Sequence, residues 1–306
     1  MLNNFPKVSV LITAYNYASF LPEAIDSVLS QTYDNFELLI IDNCSTDTTV
    51  EIVKEYMKKD ARIKLHINES NIGMFRNYNQ ALLLAQGDYI KFLNADDKFH
   101  PDVLKKFVNI LDNDENISIV TSYRQCFGDS TDILKQDVIG HQNGKEMIIS
   151  ALNKINFIGE PTTVMFRKKN LNLGLFDIAL VFCADLDMWL RHLRIGDLYI
   201  VDEVLSYVRK HGEQATEALR LNTDKSVYIA FQWPEYVRNS ILMNRFGYDL
   251  YLEEKKVLKN IFKKTNKVPH RLLLSNTSHN KRVRDYFAPV QPLLYLRYFI
   301  KNIFKK

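Results

Sequence analysis

Ten glycines, eight prolines and three cysteines are few for a chain of 306 residues, and each shortage removes a class of explanation. Cys44, Cys126 and Cys183 stand far apart, with no CxxC or CxxH spacing. Neither a zinc site nor a disulfide framework is indicated, and a reducing, cytoplasmic compartment is the default. No glycine precedes Gly73, which argues against a glycine-rich phosphate loop near the N-terminus and against nucleotidyl transfer built on one. No window reaches the ~18 uninterrupted apolar residues that a membrane-spanning helix needs. The opening MLNNFPKVSVLITAYN has no basic segment followed by an apolar stretch and a small-residue cleavage site, so no secretory signal is visible. The expectation is a soluble protein, at most peripheral on the inner face of a membrane.

What is present is an ordinary globular composition, 46% hydrophobic and 25% charged, which excludes wholesale disorder and collagen-like repeats. The length allows about two domains, or one large α/β domain with an appendage. The net charge of +4 hides an asymmetry. From Lys255 to Lys306 there are 14 Lys and Arg against one acid, Asp285, while the remaining residues hold 26 basic and 35 acidic side chains. Such a split marks a tail that meets an anionic surface.

The first third alternates between two periods. Val8 to Ile12, Phe36 to Ile41, Arg62 to Ile67 and Asp88 to Leu93 read as strands. Between them, Leu21, Ala24, Ile25, Val28 and Leu29 recur at helical spacing, Val50, Val53 and Met57 define a second helix face, and a third helix runs from Phe75 to about Ala85. This alternation predicts a mainly parallel sheet with helices on both faces. Ligands of open α/β sheets bind outside the carboxyl ends of the strands. There the sequence has Thr13 and Tyr15, then Asp42 and Asn43, then Asp96 and Asp97, so three strand ends offer polar groups to one crevice, as a nucleotide site would. Further on, Ile117 to Tyr123 and Thr162 to Phe166 read as strands, Gln125 to Gly144 as a loop-rich insertion, and Asp185 to Leu193 as a helix. Beyond Gly212 the pattern is helical.

Asp96 and Asp97 form a hard oxygen-donor pair suited to Mg²⁺ or Mn²⁺, ions held by one or two carboxylates plus substrate phosphates. The competing reading is a strand-end turn that caps the helix starting near Pro101.

Three segments, PKVSVLITAYN, SVLSQTYDNFELLIIDNCSTD and NIGMFRNYNQALLLAQGDYIKFLNADD, followed by GEPTTVMFRK and ADLDMWLRH, resemble the family-2 glycosyltransferases, which have the GT-A fold. The resemblance covers residues 5 to about 211. It implies a GT-A domain over 1–211, with a nucleotide-sugar-binding half (1–123) and an acceptor half (124–211), ahead of a basic helical region (212–306). It also implies inverting transfer of a sugar from a nucleotide diphosphate to an acceptor hydroxyl in cell-surface glycan or polysaccharide synthesis, the acceptor free or lipid-linked.

By this resemblance Thr13 and Tyr15 line the base, Tyr15 by stacking, and Asp42 keeps the first acidic position at the second strand end. Asn43 stands where the family commonly reads the pyrimidine N3–H with an acid. Its amide oxygen accepts that proton without charge, leaving uridine favoured and thymidine or another base open. Arg76 matches an arginine near base and ribose. Asn94-Ala95-Asp96-Asp97 replaces the usual DxDD, with Asn94 in the first position; of Asp96 and Asp97, one would meet the ribose and the other the metal, which stabilises the departing diphosphate as a Lewis acid. Asp185 aligns with the general base, and Ala184 replaces the glutamate that usually precedes it. The competing role for Asp185 is a helix N-cap. His211 matches a histidine near the diphosphate, sometimes on the metal, and Arg209 and Lys210 beside it are phosphate candidates.

Two further readings follow from the same residues. Asn43, Asn94 and Ala184 each replace a family acid, so the chain also fits a degenerate member that binds a nucleotide sugar or a partner without catalysis. Leu293, Leu296, Ile300, Ile303 and Phe304 lie on one helical face of residues 290–306, with basic residues around them. That is the pattern of a helix in an anionic membrane interface and equally of a terminal helix packed on its own domain. No nucleic-acid-binding module accompanies the basic tail.

Overall fold

The computed structural model describes residues 6–153, 157–178, 180 and 183–212. The helical region expected beyond Gly212, the amphipathic segment 290–306 included, lies outside the described residues.

Three βα units and a fourth strand open the described chain: β1 (Val8–Ala14), α1 (Leu21–Leu29), β2 (Phe36–Asp42), α2 (Thr49–Met57), β3 (Ile63–Ile67), α3 (Met74–Leu84) and β4 (Tyr89–Asn94). They are followed by β5 (Lys98–Phe99), α4 (Val103–Asn113), β6 (Ile117–Gly128), β7 (Ile133–Leu134), β8 (Gly140–Gln142), α5 (Gly144–Asn153), β9 (Met165–Arg167), α6 (Ala184–Leu193) and β10 (Asp197–Lys210). One sheet carries all ten strands in the order β3-β2-β1-β4-β9-β6-β10-β5, with β7 beside β6 and β8 beside β10. Strands from both sides of residue 123 therefore share a single sheet.

The half from β3 to β4 is parallel, as the alternation predicts. β1 and β2 are apolar almost throughout and covered on both faces, the signature of a parallel strand under helices. α1 buries Leu21, Ala24, Ile25 and Val28, with Pro22 in its first turn; each such side chain contributes on the order of 1.5–3 kcal/mol. On α2 the buried positions are Thr49 and Val53, and Met57, expected on the same face, is 39% exposed. The helix ends there, and in its last turn it is Tyr56 that packs against the core.

Beyond β4 the sheet changes character. Three-residue β9 enters antiparallel between β4 and β6, and β10 then runs parallel to β6 over almost its whole length. Two expectations are revised by these strands. Residues 125–128, read as loop, extend β6 because Tyr207 to Lys210 pair alongside them. Thr162, read as strand, lies in the short 3₁₀ turn Pro161–Thr163 that precedes β9.

Two buried basic side chains brace this junction. Arg167 of β9 donates from Nε to Ile117 O at 2.8 Å and from Nη2 to Leu111 O at 2.6 Å and Asp114 O at 2.8 Å, closing the open carbonyls at the end of α4. Lys91, fully buried in β4, donates from Nζ to Thr162 O and faces the rings of Phe99 and Phe107 at 4.6 and 5.5 Å. Burial holds its ammonium well below the usual lysine range.

His192 of α6 is buried with its ring edge-on to Phe166 at 4.7 Å, and neither ring nitrogen has a hydrogen-bond partner among the described residues. Burial pushes it down to about 3. Between its ordinary value near 6.5 and that value, the unfolded chain binds a proton that the folded chain refuses. Stability contributed by neutral His192 is therefore present above pH 6.5 and lost at about 1.4 kcal/mol per pH unit as the pH falls. Urea denaturation at pH 4–7 should show His192→Leu with a shallower loss of stability on acidification than the unaltered protein; equal slopes would remove His192 from the account.

Candidate active site

The register of β1 brings the strand ends together. Ala14 pairs with Asp42 on one side and Thr13 with Asn94 on the other. Above this edge the chain makes two tight turns, each with one non-glycine residue in the left-handed region, Asn16 at φ 59° and Cys44 at φ 66°. Their strain is held by cross-bonds between the turns: Asn16 N donates to Ser45 Oγ (2.9 Å), Thr46 N to Asn16 Oδ1 (2.7 Å) and Ala18 N to Asp47 Oδ2 (3.1 Å). Tyr15 lies on this rim, 42% exposed. Arg76 is exposed on the first turn of α3.

Asp42 is fully buried. Its Oδ2 accepts from Ser45 N at 2.8 Å, while Oδ1 has no partner among the described residues. Asn43 sits at the centre of an amide network. Its Oδ1 accepts from Asn68 Nδ2 and Ile72 N, both at 3.0 Å, and its Nδ2 donates to Asn71 Oδ1 at 2.9 Å. Asn68 also donates to Asn77 Oδ1 (2.8 Å), and Asn77 to Ile41 O (3.2 Å). Both lone-pair positions on the Asn43 oxygen are thus in use, so a base N–H would have to displace one of these donors to be read there.

Asp96 and Asp97 part company. Asp97 is buried and accepts at Oδ2 from Thr162 Oγ1 (2.6 Å) and Asn94 Nδ2 (3.0 Å), and at Oδ1 from Arg209 N (2.9 Å). Burial raises its carboxyl above the ordinary range, the Asp96 charge adds to this, and the Thr162 hydroxyl and the Arg209 N–H oppose it. These bonds come from β4, β10 and the 3₁₀ turn, so the pair does not act as a cap for α4. Asp96 instead meets His211, whose Nε2 lies 3.0 Å from Oδ2. The His211 ring packs against Phe20 at 4.8 Å, and its Nδ1 is buried without a partner among the described residues.

Arg209 is committed to the fold. Its Nε donates to Asp96 O at 2.9 Å, Nη2 binds Glu23, and the guanidinium packs over Phe20 and Phe127.

Asn94 is a donor that an acid could not be. Its Oδ1 accepts from Tyr78 Oη at 2.8 Å, its Nδ2 serves Asp97, and its backbone N–H donates to Thr162 Oγ1 at 3.1 Å. Thr13 bonds to the same tyrosine hydroxyl.

Asp185 lies in the first turn of α6, behind Cys183 as the N-cap, and accepts at Oδ1 from Leu186 N at 2.7 Å. Burial pushes it up to about 7, with that N–H pulling the other way and Glu160 adding to the rise. Glu160 stands on the turn Gly159–Thr163, whose ends are fastened to both sides: Trp189 Nε1 of α6 donates to Gly159 O at 3.1 Å, and Thr162 reaches Asp97. Glu160, Thr162, Lys91 and Tyr78 received no role from the sequence, because each acts through a partner distant along the chain.

For a divalent ion, Asp96 and His211 offer one hard oxygen and one imidazole. Among the described residues no group of three or more His, Cys, Asp or Glu forms a cage. Two protein ligands, with an unsatisfied nitrogen on one of them, fit an ion that takes its remaining oxygens from a diphosphate. No helix among the described residues is long and apolar enough to cross a membrane.

Comparison with known proteins agrees with this geometry. Residues 9–174 match the family model described as glycosyl transferase family 2. An uncharacterised glycosyltransferase of Methanocaldococcus jannaschii is 33% identical over 67% of this chain and 70% of its own. Another, from Haemophilus influenzae, is 29% identical over 70% of this chain and 69% of its own. Among solved structures, S. aureus TarS residues 1–349 with UDP-GlcNAc superposes with a TM-score of 0.68 at 18% identity, covering 90% of this chain and 77% of that one. The mannosyltransferase PcManGT of Pyrobaculum calidifontis, with GDP-Man and Mn²⁺, gives 0.54 at 16% identity over 93% and 80%. The likeness to these two shows the GT-A fold.

Thr162→Val would leave a buried carboxylate short of one donor and the Asn94 N–H without its acceptor. A loss of about 2–3 kcal/mol in urea denaturation is expected, with Thr162→Ser retaining most of the stability. Equal stability of the valine and serine variants would show that the hydroxyl is not what holds the turn.

Proposed function

Because this chain belongs to glycosyl transferase family 2, we propose that it moves a sugar from a nucleoside diphosphate, uridine favoured, to an acceptor hydroxyl with inversion at the anomeric carbon. The observation that carries this reading is Asp185, a half-buried carboxylate in the first turn of α6 that accepts from Leu186 N at 2.7 Å and is raised to about 7 by desolvation. A carboxylate titrating near neutrality is suited to take a proton from a hydroxyl at physiological pH. As the acceptor oxygen bonds to the anomeric carbon, the bond from that carbon to the diphosphate oxygen breaks with its electron pair. The hydroxyl proton passes to Asp185. Asp96 and His211 would hold Mn²⁺ or Mg²⁺, which when bound supplies positive charge where the departing diphosphate gathers negative charge. Asp97 keeps Asp96 and Asn94 in place, Thr13 and Tyr15 line the base, and Asp42, Asn43 and Arg76 border base and ribose.

The acceptor is proposed to be a precursor of a cell-surface glycan or polysaccharide, made on the cytoplasmic side and lipid-linked if the basic segment 290–306 meets an anionic membrane. UDP-GlcNAc in TarS and GDP-Man in PcManGT support a nucleotide-sugar donor and differ in their base, so the donor is a matter for assay. A second reading, nucleotide-sugar binding without transfer, is favoured by one observation, the fully engaged amide of Asn43.

The test is nucleotide release from a panel of UDP-, TDP- and GDP-sugars with Mn²⁺. Asp185→Asn should lower turnover about 10²–10⁴-fold and leave donor affinity within a few fold, whereas Asp96→Asn should weaken donor binding and raise the Mn²⁺ needed. Undiminished release from Asp185→Asn would remove the base assignment. Donor binding without turnover, even with acceptor extracts, would favour the second reading.

A further inference from the structure

Between β9 and α6, the backbone of residues 173–176 is held from two sides. From α6, Arg191 Nη1 donates to Leu173 O at 2.9 Å and to Gly174 O at 2.7 Å, and Nη2 donates to Leu175 O at 2.7 Å. Its Nε is spent on Asp187, buried in the first turn of the same helix, at 2.9 Å. The segment turns at Gly174 with φ +103°, where a Cβ would lie 3.2 Å from Arg191 Nη1, so the left-handed turn and the close guanidinium both favour glycine. From α3, Asn79 closes a two-point fork on one residue. Its Nδ2 donates to Phe176 O at 3.0 Å, and its Oδ1 accepts from Phe176 N at 2.9 Å. Phe176 belongs to no strand, and one amide side chain satisfies both of its backbone groups. Its buried ring packs on Tyr78 of α3 at 5.4 Å and on Trp189 of α6 at 6.3 Å.

The two helices joined in this way serve opposite sides of the proposed reaction. α3 carries Tyr78, whose hydroxyl reaches Asn94 at 2.8 Å, and Asn77, which accepts from Asn68 in the Asn43 network. α6 carries Asp185. We propose that Asn79 and Arg191 are positioning residues for transfer: through residues 173–176 they fix α6, and with it Asp185, against the helix on the donor side. The inference rests on the glycosyl-transfer reading. A base must lie within hydrogen-bond reach of the acceptor hydroxyl, and a misplacement of about 1 Å costs on the order of 10²-fold in rate. Other bonds of α6, from Trp189 Nε1 to Gly159 O and from Ser118 Oγ to His192 O, run within the half beyond β4. The Asn79 fork crosses to the βα half. The Arg191–Asp187 pair carries that hold down to the first turn of α6, where Asp185 stands.

The experiment compares the unaltered protein with Asn79→Ala and Arg191→Lys, each alone and combined with Asp185→Asn. Turnover is read as nucleotide release from the donor identified by the panel, and binding of its nucleoside diphosphate with Mn²⁺ by calorimetry. Thermal melts establish that each variant is folded. Arg191→Lys keeps a charge for Asp187, but a single ammonium does not reproduce the fork on three carbonyls. Each single variant should lower kcat by about 10–10²-fold and leave nucleotide affinity nearly unchanged. In the Asp185→Asn background the same changes should cost little more, because the residue they position has already lost its function. A merely structural role would cost the same factor in both backgrounds. Equal factors, an unchanged kcat in a folded single variant, or failure of both single variants to fold overturns the proposal; if one does not fold, the other decides. Undiminished turnover in Asp185→Asn alone, or turnover of no donor, would instead sink the glycosyl-transfer reading, and this inference with it.

Discussion

Where β9 pairs the two halves of this sheet, one residue ties the acidic strand end to both. Thr162 Oγ1 donates to the buried Asp97 and accepts from the Asn94 peptide, while its carbonyl receives Lys91 Nζ and Ser206 Oγ. Remove that residue's polar atoms and a carboxylate, an ammonium and a backbone N–H all lose partners in a region closed to water, where each unmade bond costs far more than a made one returns. The parallel βα half can form from local repeats. The acidic strand end takes its geometry from the half beyond β4, through Thr162 and the Arg209 N–H of β10.

The departures from the family's acidic pattern acquire a physical sense in this setting. A buried carboxylate beside another is tolerated only with donors around it. Asn94 supplies one, where an aspartate would have added a third charge to the same few ångströms. Asn43 likewise sits among Asn68, Asn71 and Asn77, a network in which it must donate as well as accept. Neither asparagine is an acid merely missing; each makes a bond that the acid cannot make.

The parallel half was legible because its signals are local: apolar runs at period two, helix faces at 3.6, and polar residues clustered where strands end. The acids at 42, 96, 97 and 185 stood out for the same reason, being short motifs in fixed context. What escaped depends on contacts made late. β9 is three residues long, too short for periodicity to register. Residues 125–128 became strand only because β10, some 80 residues later, lies beside them. Thr162 and Glu160 have no chemistry in isolation that marks them, and their meaning lies in partners 36 to 65 positions away. Met57 shares the helix face of Val50 and Val53 and is still 39% exposed, since helical spacing says which residues share a face but not how deeply each is buried.

The left-handed turn after β2 carries a chemical label of its own. Cys126 and Cys183 are buried, while Cys44 is partly open, held in its strained conformation next to Asn43 and across from the Tyr15 turn. A thiol-directed fluorophore would therefore attach first at the rim of the crevice, without any engineered residue. The unaltered chain thus offers one partly open thiol for labelling, on the turn that follows β2.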